Sequence, residues 1–244
     1  MRRVTFPVLG LIVALMMPAL ACALPQIGGR GEPTPAPLPT PMGDTLTLTI
    51  PLYRIGLEPG DAVPGAELRY IGQNGGSYDV TIGGLPASKR SGDSFSWQGI
   101  VAPGVVGNYN LRLTATLLGR LVAAGQVTLN VFNPAPVAIN AMPASDGALY
   151  YNNIAVQYLI PAGRAIPGTT LVFEGIIEPG GPENLAQRMA HLSGGSGYPY
   201  FALGDSVGWM GQLRDNVTIR YSLRVIALEE SGLRVAGTAE LWVK

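Results

Sequence analysis

The chain has 244 residues, with sixteen basic side chains balanced by sixteen acidic ones, and charged residues make up only 13% of it, against about 25% in an ordinary globular protein. That balance lacks the positive field of a nucleic-acid binder, so no nucleic-acid partner is expected. A single cysteine, Cys22, excludes an intramolecular disulfide and a thiolate zinc site, and a single histidine, His191, leaves little room for imidazole catalysis.

Arg2 and Arg3 open the chain, and Val4 to Ala21 follows without a charge and rich in Val, Leu, Ile, Met and Ala. A charged start, an apolar run and small residues before a cut are the layout of a secretory signal, predicted here over residues 1–22. The run ends Pro18-Ala19-Leu20-Ala21-Cys22. Ala21-Cys22 resembles the bacterial lipobox, although the Leu that usually stands three residues before the cysteine is replaced by Ala19, with Leu20 beside it. The resemblance implies a thioether lipid on Cys22 and attachment to a bacterial membrane or cell surface, outside the cytoplasm. More than one acyl chain on that residue is enough for stable anchoring. The competing readings are an ordinary cut near Ala21 or Ala23, or an uncleaved anchor interrupted by Pro7 and Pro18.

Residues 23–43 carry Pro33, Pro35, Pro37, Pro39 and Pro41 at every second position. Proline fixes φ and donates no N–H, so the spacing predicts a disordered, extended spacer of about 3.1 Å per residue.

Beyond the spacer the sequence repeats itself. Leu57–Gly65, with Pro59-Gly60 and Pro64-Gly65, matches Ile160–Gly168, which ends on Pro167-Gly168. Asp93–Gly99 matches Asp205–Gly211, with Trp97 opposite Trp209. Asn108–Thr114 aligns with Asn216–Ser222, and Gly125–Val131 with Gly237–Val243. These matches define two units, 44–133 and 147–244, joined by a linker at 134–146 that opens on Pro134-Ala135-Pro136.

Each unit reads as strands. Leu46, Leu48 and Ile50 alternate with threonines, Leu111 and Leu113 with Arg112 and Thr114, and Val127, Leu129 and Val131 with Thr128 and Asn130. Such alternation lays one face on a core. Gly and Pro turns punctuate the strands at short spacing, which predicts an all-β fold. The run Gly107-Asn108-Tyr109-Asn110-Leu111-Arg112-Leu113, followed by a turn and a terminal alternating strand, resembles the closing hairpin of bacterial immunoglobulin-like domains. The resemblance implies two tandem immunoglobulin-like β-sandwich repeats. The second unit departs from it, with Val217 in the tyrosine's place.

The one helix expected is Pro182 to His191, an insertion in the second unit. It has proline near the start, Glu183 in the first turn, Leu185 and Met189 four apart, and Gly194 after the end. After it comes Ser193-Gly194-Gly195-Ser196-Gly197-Tyr198-Pro199-Tyr200-Phe201, glycine-rich and then aromatic, a loop chemistry suited to recognition. Tyr198 and Tyr200, with Trp97 and Trp209, are the candidate binding residues. The bland reading of both tryptophans is sheet packing. Arg112 and Arg220 read as outward strand positions, and Lys89-Arg90 as a soluble turn. His191 and Ser193 lack a defined acid and a nucleophile elbow. No calcium loop, phosphate loop or dinucleotide fingerprint occurs, so no cofactor and no metal is expected. The sequence therefore predicts a non-catalytic, envelope-anchored binding or scaffold module for an unidentified protein partner. The alternative is a carbohydrate-binding envelope protein.

Overall fold

The computed structural model describes residues 44–117, 120–142, 146–180 and 185–244. The expected signal, Cys22, the spacer 23–43 and Pro182–Asn184 lie outside them. Every element is a strand. The first half contains β1 (Thr45–Leu57), β2 (Leu68–Asn74), β3 (Ser77–Ile82), β4 (Leu85–Lys89), β5 (Ser94–Ala102), β6 (Val105–Leu117) and β7 (Arg120–Phe132). A two-residue strand, β8 (Val137–Ala138), lies in the expected linker. The second half contains β9 (Leu149–Ile160), β10 (Arg164–Ala165), β11 (Val172–Ile177), β12 (Met189–Ser193), β13 (Tyr200–Phe201), β14 (Ser206–Arg214), β15 (Val217–Glu229) and β16 (Gly232–Val243).

The long strands of both halves, with the short β8 at one edge, make one nine-stranded antiparallel sheet in the order β5-β6-β7-β1-β9-β16-β15-β14-β8. The halves meet at its centre, where β1 and β9 pair antiparallel at Thr49 and Ala155. Two smaller sheets complete the sandwich-like fold, β2-β3-β4 in the first half and β10-β11-β12-β13 in the second.

Ladder registers fix which residues are equivalent. Trp97 faces Tyr109 and Trp209 faces Tyr221, while Tyr109 faces Val127 and Tyr221 faces Ala239. Bulges fall at matching places, Ile100/Ala102 with Gln212/Arg214 and Leu113/Thr116 with Val225/Ala227. Tyr221, not Val217, is thus the counterpart of Tyr109, and Arg224, not Arg220, that of Arg112. The ladder sets this strand four residues away from the match in sequence, because an alternating strand matches itself at any even shift.

Alternation builds the core. On β15, Ile219, Tyr221, Leu223 and Val225 are buried while Arg220, Ser222 and Arg224 are exposed. Leu46, Leu48 and Ile50 do the same on β1. The buried residues of both halves form a single cluster.

The halves also clasp each other reciprocally. A Cβ on Gly168 of the second half would lie 2.7 Å from Leu46 of the first, and one on Gly65 would lie 3.1 Å from Leu149. Leu46 and Leu149 are the first apolar residues of β1 and β9, so each central strand starts against the other half's Pro-Gly turn. Contacts exchanged in this way are those of a two-fold interface. The Arg214 guanidinium donates to the Phe132 carbonyl at 2.6 Å, and the Asn216 amide to that of Pro103 at 3.1 Å.

The expected helix is not formed over its described residues, 185–191. Met189, Ala190 and His191 belong to β12, which pairs with β11 from Ile177↔Met189 to Val172↔Ser193. Ala190 and Leu192 are buried while Met189, His191 and Ser193 are half-buried, a period of two. The Leu185/Met189 spacing fits a helix locally, but β11 needs a partner, and pairing decides the outcome.

Candidate functional site

The hairpin between β12 and β13 sets the halves apart. The first half closes the corresponding turn with Gly83-Gly84, between Ile82 and Leu85. The second spends Gly194 to Pro199 on it. Gly194 has φ +77°, and a Cβ there would meet the Thr170 carbonyl oxygen at 2.1 Å, so only glycine fits. The Leu192 N–H donates to the Pro199 carbonyl at 2.8 Å and closes the loop's base.

A short relay ties this loop to the large sheet. The Trp209 indole N–H donates to Thr170 Oγ1 at 3.0 Å, and that hydroxyl donates to the Gly194 carbonyl at 3.1 Å. Trp209 itself is 7% exposed. A Cβ on Gly211 would lie 2.1 Å from its ring, and one on Gly99 would lie 2.2 Å from that of Trp97. In both halves the indole therefore lies flat on a glycine two residues along the strand. Trp97 is half-buried, with Tyr109 5.8 Å away.

Between loop and sheet lies a cleft of about 210 Å³, whose walls include Ile139, Leu192, Gly195, Tyr198, Trp209 and Met210. That is smaller than the roughly 300–1,000 Å³ of drug-sized ligand sites, and suits a single side chain or a small ring. Tyr198 stands at its rim, 64% exposed. It meets Tyr200 edge to face at 5.4 Å, and Tyr200 stacks on His191 at 5.0 Å. The structure thus gathers Tyr198, Tyr200 and Trp209 around one hairpin, while Trp97 lies in the other half. Ser193 donates its hydroxyl proton to Glu174, and His191 faces Tyr200 across the ladder.

A second cluster went unnoticed in the sequence. Tyr150 and Trp242 pair across β9 and β16 with ring centres 5.1 Å apart. The Arg220 guanidinium lies 5.7 Å from the Trp242 ring and binds Glu240, whose other oxygen accepts from the Tyr150 hydroxyl at 2.6 Å. Burial pushes the Glu240 carboxyl upward, but its bonds from Tyr150 and Arg220 outweigh that and hold it below the usual carboxylate range. The four residues come from three strands, so only the register brings them together.

Among the described residues no group of three His, Cys, Asp or Glu is placed to hold a metal ion, and no helix is long and apolar enough to cross a membrane. No protein family, no characterised protein and no solved structure matches this chain.

Proposed function

We propose that the protein is a non-catalytic binding or scaffold module, held outside the cytoplasm by a lipid on Cys22, that engages a partner protein through the Gly194–Tyr200 hairpin. Kinship of each half with immunoglobulin-like repeats belongs to the same proposal, supported by the Gly107–Leu113 run and the long hairpin that closes each half. The observation that carries the binding reading is Tyr198, a large aromatic exposed at the rim of a cleft, on a hairpin that the first half reduces to two glycines. Exposed aromatics beside a pocket are the usual anchors of protein interfaces. The test is photo-crosslinking in the cell of origin, with a benzophenone side chain at Tyr198 or, as control, at exposed Leu85 on the first half's hairpin. Adducts at Tyr198 absent from Leu85 are expected. The same adducts at both, or none at Tyr198, would overturn the assignment. Loss of membrane partitioning in Cys22→Ser checks the anchor.

Carbohydrate binding is the second reading. The Tyr150–Trp242 pair, with Arg220 and Glu240 beside it, offers ring faces and hydrogen-bonding groups together. Glycan binding lost in Trp242→Ala and kept in Tyr198→Ala would favour it.

A further inference from the structure

β5 and β14 are equivalent strands at equivalent places in the large sheet, and among the described residues only β14 is covered. β14 carries β8, with Gly211 opposite Ala138 and Gln212 opposite Val137. The Ile139 N–H donates to the Met210 carbonyl at 3.0 Å, and the Ala135 N–H to that of Leu213 at 2.8 Å. Among the described residues no strand pairs with the outer side of β5.

The equivalence fixes what that side offers. Gln98 faces Asn108 as Met210 faces Arg220, so the Gln98 N–H and C=O point outward as those of Met210 do. β5 reads Ser-Phe-Ser-Trp-Gln-Gly-Ile-Val-Ala, nine residues with no charge and no proline, and Ile100 on it is 62% exposed. Exposed edges are ordinarily blocked with lysine, proline, an inward charge or a bulge; β5 carries none of the first three, and its bulge at Ile100/Ala102 matches the Gln212/Arg214 bulge across which β14 still takes β8.

The strand on β14 shows which chemistry such an edge accepts. Donors aimed at β14 come from Ala135 and Ile139, on one parity of the chain. Pro134 and Pro136 fall on the other parity, where a missing N–H costs no ladder bond and prevents a further strand from adding. The inward residues are small or β-branched and apolar.

We propose that the β5 edge is a second binding site, which takes an extended peptide of a partner protein as an added antiparallel strand. The peptide has small or β-branched apolar residues on its inward parity and proline on its outward parity. Main-chain bonds to Gln98, Ile100 and Val101, the counterparts of Met210, Gln212 and Leu213, supply affinity, and the alternation supplies specificity, as in other strand additions. The site lies in the other half from the Tyr198 hairpin and does not depend on that reading.

The probe is a synthetic peptide of the Asn133–Asn140 sequence added to the full chain, read by amide hydrogen exchange. At saturation the Gln98 and Ile100 amides should exchange at least tenfold more slowly, with the β14 amides unchanged. A peptide carrying Ala138→Pro should bind equally. One carrying Val137→Pro, which removes an inward donor, should bind at least tenfold more weakly. Gln98→Pro in the protein should abolish protection, and the peptide pair tests the site even where that variant fails to fold. No slowing at β5, or equal binding of the two proline peptides, would overturn the proposal. Concentration-dependent self-association of the full chain that Gln98→Pro abolishes would overturn it too, by making a second copy the occupant.

Discussion

Tyr109 and Tyr221 occupy the same place in the two halves, and each donates its hydroxyl proton to the first carbonyl of a Pro-Gly turn. Tyr109 reaches Pro64 at 2.9 Å and Tyr221 reaches Pro167 at 3.1 Å. Around them the halves diverge. The Tyr109 oxygen also meets the Tyr151 hydroxyl at 2.7 Å, and Tyr151 belongs to the second half's central strand. Because the single Tyr109 proton serves Pro64, Tyr151 is the donor to Tyr109. The repeated unit thus supplies the clip, and the junction between halves supplies what is added to it. The same division holds at the surface, where the second half has an enlarged hairpin and a covered edge, and the first has two glycines and an edge that no described strand pairs with. What the halves share makes the core, and what they do not share lies at the surface.

The shared core implies that the halves unfold together. Gly125 and Gly237 are equivalent, and a Cβ on either would lie 2.1 Å from a carbonyl oxygen of the neighbouring strand, that of Asn110 or Ser222. Valine at either site should cost about 3 kcal/mol or more, since overpacking against backbone has no side chain to yield. Calorimetry should show one transition lowered by either variant. Two transitions, with only the mutated half shifted, would mean that the single sheet does not couple the halves.

The tyrosine clips give a smaller and asymmetric effect. Tyr109→Phe removes the bond to Pro64 and leaves the buried Tyr151 hydroxyl without its acceptor, so a loss of about 2–3 kcal/mol is expected, against about 1 kcal/mol for Tyr221→Phe. Denaturant melts of the two variants make the comparison, and equal losses would remove the asymmetry. The same groups set an alkaline limit. Burial pushes the Tyr151 phenol up to about 12 and raises Tyr109 and Tyr221 further still. A phenol whose folded pKa lies above the unfolded value of 10 stabilises fully below pH 10, and that stability drains away as pH rises through 12. Tyrosinate absorbance from these residues should therefore appear together with loss of native circular dichroism. Tyrosinate formed in a still-folded chain would show the clips to be solvated.

Much of this plan is legible in the sequence because it rests on local signals. Period-two alternation marks the long strands, and Pro-Gly pairs mark the turns that repeat with them. What escapes is set by pairing. Asn108–Thr114 matches equally well at a shifted register, and only the ladder shows that Arg112 corresponds to Arg224. Met189–Ser193 carries alternation, but it is short and follows a plausible helix start. Val137-Ala138 is too brief to read as a strand, yet it covers an edge. Tyr198 and Tyr200 stand out as an aromatic pair after glycines. Tyr150 and Trp242 lie 92 positions apart and meet only across a ladder.

The smallest expected difference lies where β1 and β7 approach their shared end. Arg120 binds Glu58 there, donating to one carboxylate oxygen from Nε at 3.0 Å and Nη2 at 2.6 Å, and both side chains are more than half exposed. In the second half the equivalent positions are Pro161 and Gly232, which cannot form such a pair. Gly232 stands in the place of Arg120, at φ +145°, with its Cα so close to the Ile160 carbonyl that a Cβ would fall 2.3 Å from the oxygen. One half therefore closes this corner with an ion pair, and the other with a backbone that only glycine can adopt. An exposed pair gains little over its solvated parts and is screened by salt, so Glu58→Ala should shift stability by no more than about 0.5 kcal/mol, and by less at high salt. Gly232→Ala at the equivalent corner should cost about 1–3 kcal/mol at any salt, because the strain is steric. A salt-insensitive loss in Glu58→Ala as large as that in Gly232→Ala would show that the ion pair, rather than the turn beside it, holds the corner of the first half.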